Sequence, residues 1–475
     1  MSELVDALRL IFRNCRFDLI FKYLYSDAYA RGDVILVRGY EEMYCESIRA
    51  FNGFYEEEPS KESREDFLNA FNLLIESVRE NGYDQKESIP VSASYALQNG
   101  AHRVSVAASL RLLVPVEICT AASIYDYKLF MKHRMNPDWM DFGALKFLEI
   151  NPDAYIVNLH SVSPLDKDLE VEGILDSYGF IFYKKEVLLS FNGYVNVKKI
   201  SYGIDSSDHV EAWIGSYCDG FAGAHRHASQ SFVDGRPLRA YVFVCDQREK
   251  VLKAKEEIRE LLGLGNVAVH INDTKSEALS LGRTLLNDRS IQLVNYRPYD
   301  LDTSDFDSVI DTLRESCAAK NYQADRLAVT GSGVLAAYGL RKARDCDLVH
   351  AEELPLDLEK GGFSSHKSQE VFYSHDFSSI VTNPKYYFYY RGVKFVALEE
   401  VRSMKASRDE KPKDVQDVLM IDALEFGDQP TYVEAPVSVR RYFFGAIIKE
   451  KYMRHRVIRL LGLKVFKYNL HSKRR

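Results

Sequence analysis

The sequence predicts an α/β chain with α+β elements, divided into several domains, and three observations carry that prediction. At 475 residues it exceeds what one hydrophobic core usually serves, so two or three domains are expected. Strand-length apolar runs alternate with helix-length amphipathic stretches through residues 240–300, the pattern of βαβ units around a parallel sheet with right-handed crossovers. Between Thr330 and Asp347 a glycine and serine turn, a helix-compatible run and two acids one residue apart follow in order. The boundaries read as 1–125, 126–300 and 305–430, with a basic segment at 435–475.

Composition narrows the function classes. Apolar residues make up 46% of the chain and the net charge is −7, which is ordinary for a soluble protein and argues against one that coats DNA or RNA. The 30 tyrosines and 26 phenylalanines read first as aromatic cores and second as sugar-stacking or interface surfaces. Seven cysteines without a C-x-x-C pair are no disulfide framework, so a reducing cytoplasm fits best. Charges interrupt the N-terminus before a signal-length apolar run forms, and no uncharged apolar stretch reaches eighteen residues. Secretion and membrane spanning are disfavoured.

Taken in order, residues 3–25 have Leu4, Leu8, Ile11 and Phe12, then Leu19, Ile20 and Tyr23, on a helical period and predict one amphipathic helix. After a charged stretch, Ser60 is placed to cap a helix through Phe67 and Leu73 towards Val78. From Ile89 to Ile118 the pattern is a strand, a turn at Asn99-Gly100, a helix over Arg103–Leu112 and a strand at Val114–Ile118. Gly100, His102 and Arg103 at the helix start form a plausible anion site, because free N–H groups and a guanidinium point the same way. A His-Arg pair that merely solvates a helix end is the plainer reading. With its glycine, basic pair and L-x-x-V-P-V-like strand, the passage over residues 85–120 resembles the ParB/sulfiredoxin fold shared with chromosome-partition CTPases and free-serine kinases. That resemblance implies that Gly100, His102 and Arg103 face nucleotide phosphates, and it makes a small-molecule kinase one alternative.

Residues 121–240 suggest strands and short helices of a mixed domain. His209, Glu211, His225 and His227 fall in one segment, but histidines at i and i+2 do not share a helix face, so zinc is disfavoured. Sugar or phosphate contact suits G-A-H-R-H better, and a polar surface is the simplest use. Through 240–300 the expected order is strand, helix, strand, helix and a last strand at I-Q-L-V-N-Y. Ligands of parallel sheets gather beyond the carboxyl ends of the strands, here Asp246, then His270, Asn272, Asp273 and Thr274, then Asn295, Tyr296 and Arg297. Asp273 and Arg297 are kept as supporting residues, although Asp273 and Thr274 serve equally as helix caps. Neither G-x-G-x-x-G nor a P-loop occurs, which disfavours dinucleotide dehydrogenases and P-loop kinases.

A helix near Phe306–Ala319 leads to the strand at 327–329, the Gly331-Ser332 turn, a helix over Val334–Leu340 and a strand over Cys346–Val349 with Asp345 and Asp347 on one face. Two carboxylates on one face can share a divalent cation. With a turn whose N–H groups hold phosphate, this suits phosphoryl or nucleotidyl transfer assisted by Mg2+. The passage, together with R-G-V-K-F-V-A-L-E-E-V-R-S-M-K and K-P-K-D-V-Q-D-V-L downstream, resembles the nucleotidyltransferase superfamily over residues 305–430. The resemblance implies a mixed-sheet domain, catalytic Mg2+ on Asp345 and Asp347, and ATP or another nucleoside triphosphate gripped at Gly331 and Ser332. Family members often add a third carboxylate from a later strand. Here that strand reads K-Y-Y-F-Y-Y-R-G-V-K-F, without an acid, and Asp376 lies well upstream. Lys405, Arg408, Lys411 and Lys413 form a basic set suited to polyphosphate, and Asp414 and Asp417 fall three apart on one side of the next helix as supporting residues.

From Lys449 onward the tail has ten Lys or Arg against one Glu, interleaved with apolar residues. It reads as an amphipathic basic segment for an anionic membrane surface or an acidic protein, or as a helix docked on its own chain. No module for nucleic acid accompanies it. The combined expectation is a cytoplasmic enzyme, peripheral at the inner face of the membrane, that transfers a phosphoryl or nucleotidyl group to a small polar or carbohydrate acceptor, as in surface-polysaccharide biosynthesis. A nonenzymatic nucleotide-sensing or scaffold protein is the alternative that the missing third acid favours.

Overall fold

The computed structural model describes residues 3–58, 60–120, 124–205, 210–343, 345–355, 358, 362–408 and 412–425, and the backbone of four strands beyond. The chain is mixed α/β and forms two compact units, one of residues 1–295 with 382–392, the other of 296–381 with 393–475. Among the described residues, no helix is long and apolar enough to cross a membrane. All seven cysteines are free.

In the first unit the expected opening helix is broken. Residues Glu3–Asp6 form strand β1, Ala7–Phe12 helix α1 and Asp18–Ala30 helix α2. The break has a physical cause: Asp6 accepts from Leu8 N and caps α1, while Asp18 is buried against Arg16 at 2.7 Å and Lys22 at 2.5 Å and fixes the start of α2. Helices α3 (Val34–Asn52) and α4 (Arg64–Asn81) follow, and the cap of α4 is Ser63, accepting from Asp66 N, rather than Ser60. Strand β2 (Ile89–Val91), helix α5 (Ala101–Ser109) and strand β3 (Leu113–Ile118) make the predicted strand-helix-strand unit. β2 runs parallel to β3, and β1 pairs antiparallel on the other side, giving the order β1-β3-β2.

The rest of this unit differs from the parallel sheet expected. After α6 (Tyr127–Lys132) and α7 (Pro137–Ile150) come β4 (Ala154–Leu159), α8 (Asp168–Tyr178), β5 (Phe180–Val187), α9 (Phe191–Ser201) and α10 (Ala222–Ser231). Then follow β6 (Leu238–Val244), α11 (Arg248–Leu262), β7 (Val269–Ile271), α12 (Lys275–Leu285) and α13 (Asp288–Tyr296). The order is β5-β6-β4-β7 and every neighbouring pair is antiparallel. β4 inserts between β6 and β7, so the strands that look like a βαβ pair in sequence never touch. The last expected strand, I-Q-L-V-N-Y, lies in α13, where Ser290, Leu293 and Val294 are buried at helical spacing. The strand β11 (Tyr387–Tyr390) belongs to this unit, held by Asn287 Nδ2 on Tyr387 O at 3.3 Å and Ser290 Oγ accepting from Tyr389 N at 2.9 Å.

The second unit holds α14 (Ser304–Ala319), β8 (Leu327–Thr330), α15 (Ser332–Ala337), β9 (Cys346–His350) and β10 (Phe363–Ser365). It continues with α16 (Phe377–Thr382), β12 (Val393–Val396), α17 (Leu398–Ser407) and α18 (Pro412–Glu425). Four of its strands are ordered β10-β9-β8-β12 in a mixed sheet: β8 and β9 are antiparallel, while β9–β10 and β8–β12 are parallel. All four residues of β8 and of β12 are buried, so apolar runs rather than alternation mark these central strands. The basic tail is a four-stranded antiparallel meander, β13 (Arg441–Phe444), β14 (Ile447–Tyr452), β15 (His455–Leu460) and β16 (Leu463–Asn469), where a helix was one expectation.

Candidate functional site

The turn out of β8 is built around one close approach. Gly331 has φ +60° and ψ −124°, a conformation that side-chain-bearing residues rarely adopt, and a Cβ there would stand 3.0 Å from Asp347 Oδ2. The β8–β9 register places Asp347 opposite Thr330, so its carboxylate leans over the turn. Asp345 precedes β9 and is exposed, whereas Asp347 is half-buried. Ser332 Oγ donates to Asp345 Oδ1 at 2.8 Å and lies 3.2 Å from Asp345 O. That hydroxyl, 3% exposed as a residue, therefore orients the first acid rather than standing free for a phosphate.

The two acids repel each other. Burial pushes the Asp347 carboxyl above its usual range, the Asp345 charge raises it further, and Lys413, Lys405 and Arg408 pull it back in that order. Asp347 is thus a carboxylate poised to gain from a cation or from closer contact with its basic neighbours. Thr330 Oγ1 is 2.7 Å from Tyr373 Oη, which is 2.8 Å from His366 Nδ1. The phenol is pushed up by burial, so it stays protonated beside the site.

Much of the expected basic set is already engaged. Lys405 Nζ bonds Asp417 Oδ2 at 2.7 Å and Asp414 Oδ1 at 3.2 Å, and Arg341 grips Asp417 through Nε at 2.8 Å and Nη2 at 3.1 Å. Arg408 spans Asp414 at 3.1 Å and Gln369 Oε1 at 3.1 Å. Asp414 and Asp417 are each 1% exposed and share one face of α18, as their spacing predicts. They clamp α18 to α17 and to the segment before β9. Lys413 is exposed and enters the field of Asp347; Lys411 lies outside the described residues. Arg297 is a buttress, donating to Ala337 O at 2.8 Å and Thr303 Oγ1 at 2.5 Å.

The position level with Thr330 on the far side of β8 is Val396, one residue past the Phe395–Val329 pair. It is buried and apolar, so the later strand brings no carboxylate to this level, as its sequence predicts. Among the described residues, no group of three or more His, Cys, Asp or Glu is arranged to hold a metal ion.

The other predicted residues lie in the first unit. Gly100 (φ +82°) caps α5, and Arg103 pairs with Glu87 at 2.9 Å. His102 turns inward: its Nε2 is 3.0 Å from Tyr44 Oη, its ring edge meets Phe71 at 4.7 Å, and burial holds it well below its ordinary value. The turn thus keeps Gly100 and an ion-paired Arg103, while His102 is withdrawn against Tyr44 and Phe71. Asp273 pairs on the surface with Arg248 at 3.2 Å. His225 packs edge-on to Phe191 at 5.1 Å and His227 near Trp213 at 5.5 Å, so the two diverge as their spacing requires; His209 lies outside the described residues. Sequence reasoning missed Tyr373, His366 and the clamp of Arg341, for which no motif existed; the i, i+3 acids were the available signal. Comparison with protein-family models, with curated proteins and with solved structures returns no match to this chain.

Proposed function

We propose that the Gly331 turn with Asp345 and Asp347 binds Mg2+ and the phosphates of a nucleoside triphosphate and transfers a phosphoryl or nucleotidyl group to a small polar or carbohydrate acceptor. The observation that carries this reading is the carboxylate pair at the turn: Asp347 stands over Gly331 and is raised by burial and by Asp345, a charge arrangement that a divalent cation relieves. When bound, Mg2+ would supply charge neutralisation and alignment of phosphate oxygens. This chain's own part is to hold the two acids, Asp345 through Ser332 and Asp347 through the β8–β9 register. Exposed Lys413 would receive phosphate oxygens at the rim, and the protonated Tyr373, bonded to Thr330 and His366, would brace the end of β8 behind the turn. The basic tail would bring the enzyme to an anionic surface in the cytoplasm.

A second reading, a nonenzymatic nucleotide sensor or scaffold, is favoured by Val396 at the third position. Binding and turnover separate the two. Mg-nucleotide affinity and product formation are measured for wild type and for D345A/D347A. Binding and turnover that both depend on the pair support transfer. Binding alone supports the sensor, and identical behaviour of the two proteins removes the site from either role.

A further inference from the structure

The antiparallel sheet of the first unit buries a polar cluster on the face away from its apolar core. Val157, Leu159, Tyr241, Phe243, Val269 and Ile271 pack with Val171 and Leu175 of α8 and Val251 and Ile258 of α11 on one face. Side-chain alternation sends Asn158 and His270, direct partners in the β4–β7 register, to the other face, with His160 two residues further along. From α9, Lys198 Nζ reaches within 2.7 Å of His160 Nε2. These four side chains belong to residues no more than 5% exposed. Half-exposed His227 stands at the rim, its ring 6.4 Å from His160, 5.9 Å from Tyr202 and 5.5 Å from Trp213, which is 43% exposed.

The cluster is incomplete as a set of hydrogen bonds. Asn158 Oδ1 and Nδ2, His160 Nδ1 and His227 Nδ1 are buried without a partner. Native interiors satisfy such groups almost always, because an orphan carries its full desolvation penalty. If Lys198 donates to His160 Nε2, the hydrogen of that ring sits on Nδ1, which makes it an orphan donor. Glu277 is bonded to His270, Glu211 and Asp273 act at Tyr202, and burial alone holds Lys198 far below its ordinary value.

We propose that this cluster binds a small organic oxyanion, with its carboxylate or phosphate received by Lys198, His160 and the Asn158 amide, and its body against Tyr202 and Trp213. An oxyanion accepts from the orphan donors and would favour the charged form of Lys198 that burial disfavours. A cation would leave the Asn158 Nδ2 and His160 Nδ1 donors without an acceptor. The proposal stands apart from the Asp345–Asp347 reading, since every residue it uses lies in the first unit.

The chain has two tryptophans, so Trp139→Phe leaves Trp213 as a local reporter in the full-length protein. Inorganic phosphate and acetate are titrated separately at constant ionic strength while Trp213 fluorescence and the unfolding temperature are followed. The expected result is a saturable fluorescence change with at least one anion and an unfolding temperature about 2 °C or more higher at saturation. Lys198→Met should weaken that response at least tenfold, and His227→Gln, at the rim, about fivefold. Phosphate without acetate assigns a phosphoryl head group, and acetate without phosphate a carboxylate. No saturable response to either anion, or a response unchanged in both variants, overturns the proposal.

Discussion

Asp417→Asn removes a negative charge without changing side-chain volume, so its cost isolates the ionic clamp of the second unit. Asp417 accepts from Arg341 Nε at 2.8 Å, Arg341 Nη2 at 3.1 Å and Lys405 Nζ at 2.7 Å, in a place where the aspartate is 1% and the lysine 2% exposed. Deleting one partner of a buried pair typically costs about 3–5 kcal/mol; here Arg341 loses both of its bonds to the aspartate, while Lys405 falls back on Asp414 at 3.2 Å. Asp414→Asn should cost less, about 1–3 kcal/mol, because Asp414 Oδ2 already lacks a partner and Lys405 would keep Asp417. Urea unfolding at neutral pH reads both values from the midpoint, provided the slope is unchanged. Lys405→Met in the Asp417→Asn background should cost at least about 1 kcal/mol less than in wild type, since the lysine then holds only its 3.2 Å contact with Asp414. An Asp417→Asn protein within about 1 kcal/mol of wild type, or an Asp414→Asn protein that loses more, would refute the clamp.

Gly331→Ala places a Cβ 3.0 Å from Asp347 Oδ2 in a backbone conformation hostile to L-residues, and is expected to cost about 1–3 kcal/mol and to weaken Mg-nucleotide binding; wild-type behaviour in both measurements would show the turn to be adaptable. For Asp347 the folded value is raised, so ionising it opposes folding, and its unfavourable contribution grows as pH rises through the folded value. Asp347→Asn should therefore raise the unfolding midpoint at neutral pH while removing the Mg2+ response, and a lowered midpoint contradicts the repulsion. Asp18 has the opposite sign: burial raises its carboxyl, but Arg16 and Lys22 together outweigh burial and hold it far below the usual range. Its stabilisation is complete above the ordinary carboxylate value of about 4 and is lost as pH falls towards the depressed one. The unfolding difference between wild type and Asp18→Asn should therefore shrink on acidification, and a difference constant from neutral to strongly acidic pH would exclude the ion triad.

The second unit was legible because its signals are local. A positive-φ glycine, a short helix and an acid pair need only neighbouring residues to announce themselves, and the sequence places β8, α15 and β9 within a few residues of where they lie. Strand direction in the first unit is not local. β6 and β7 flank β4, a strand some eighty residues before β6, and nothing in the 240–300 pattern records that insertion. The last predicted strand failed for a related reason, since I-Q-L-V-N-Y is short enough to fit either period and only burial at Ser290, Leu293 and Val294 decides for the helix. The Lys198–His160 contact joins residues 38 apart that share no motif, so chemistry of that kind is invisible until the sheet has folded.

At the acid pair, binding and catalysis make different demands on the fold. Binding requires that two like charges be held together at a cost to stability, and Ser332 on Asp345 and the Gly331 approach of Asp347 do that before any ligand arrives. Transfer requires in addition that an acceptor be aligned and that charge developing on phosphate oxygens be stabilised more than charge in the ground state. On the proposed reading Val396 offers no charge at the level of the pair, and Lys413 and the phenol of Tyr373, which act on or near it, would have to supply that extra stabilisation. If these two carry the transition-state share, Lys413→Met should lower turnover more than affinity, whereas a site that only binds would lose affinity alone. The ratio of the two losses, measured on one variant, therefore decides between transfer and binding alone as the proposed role of the acid pair.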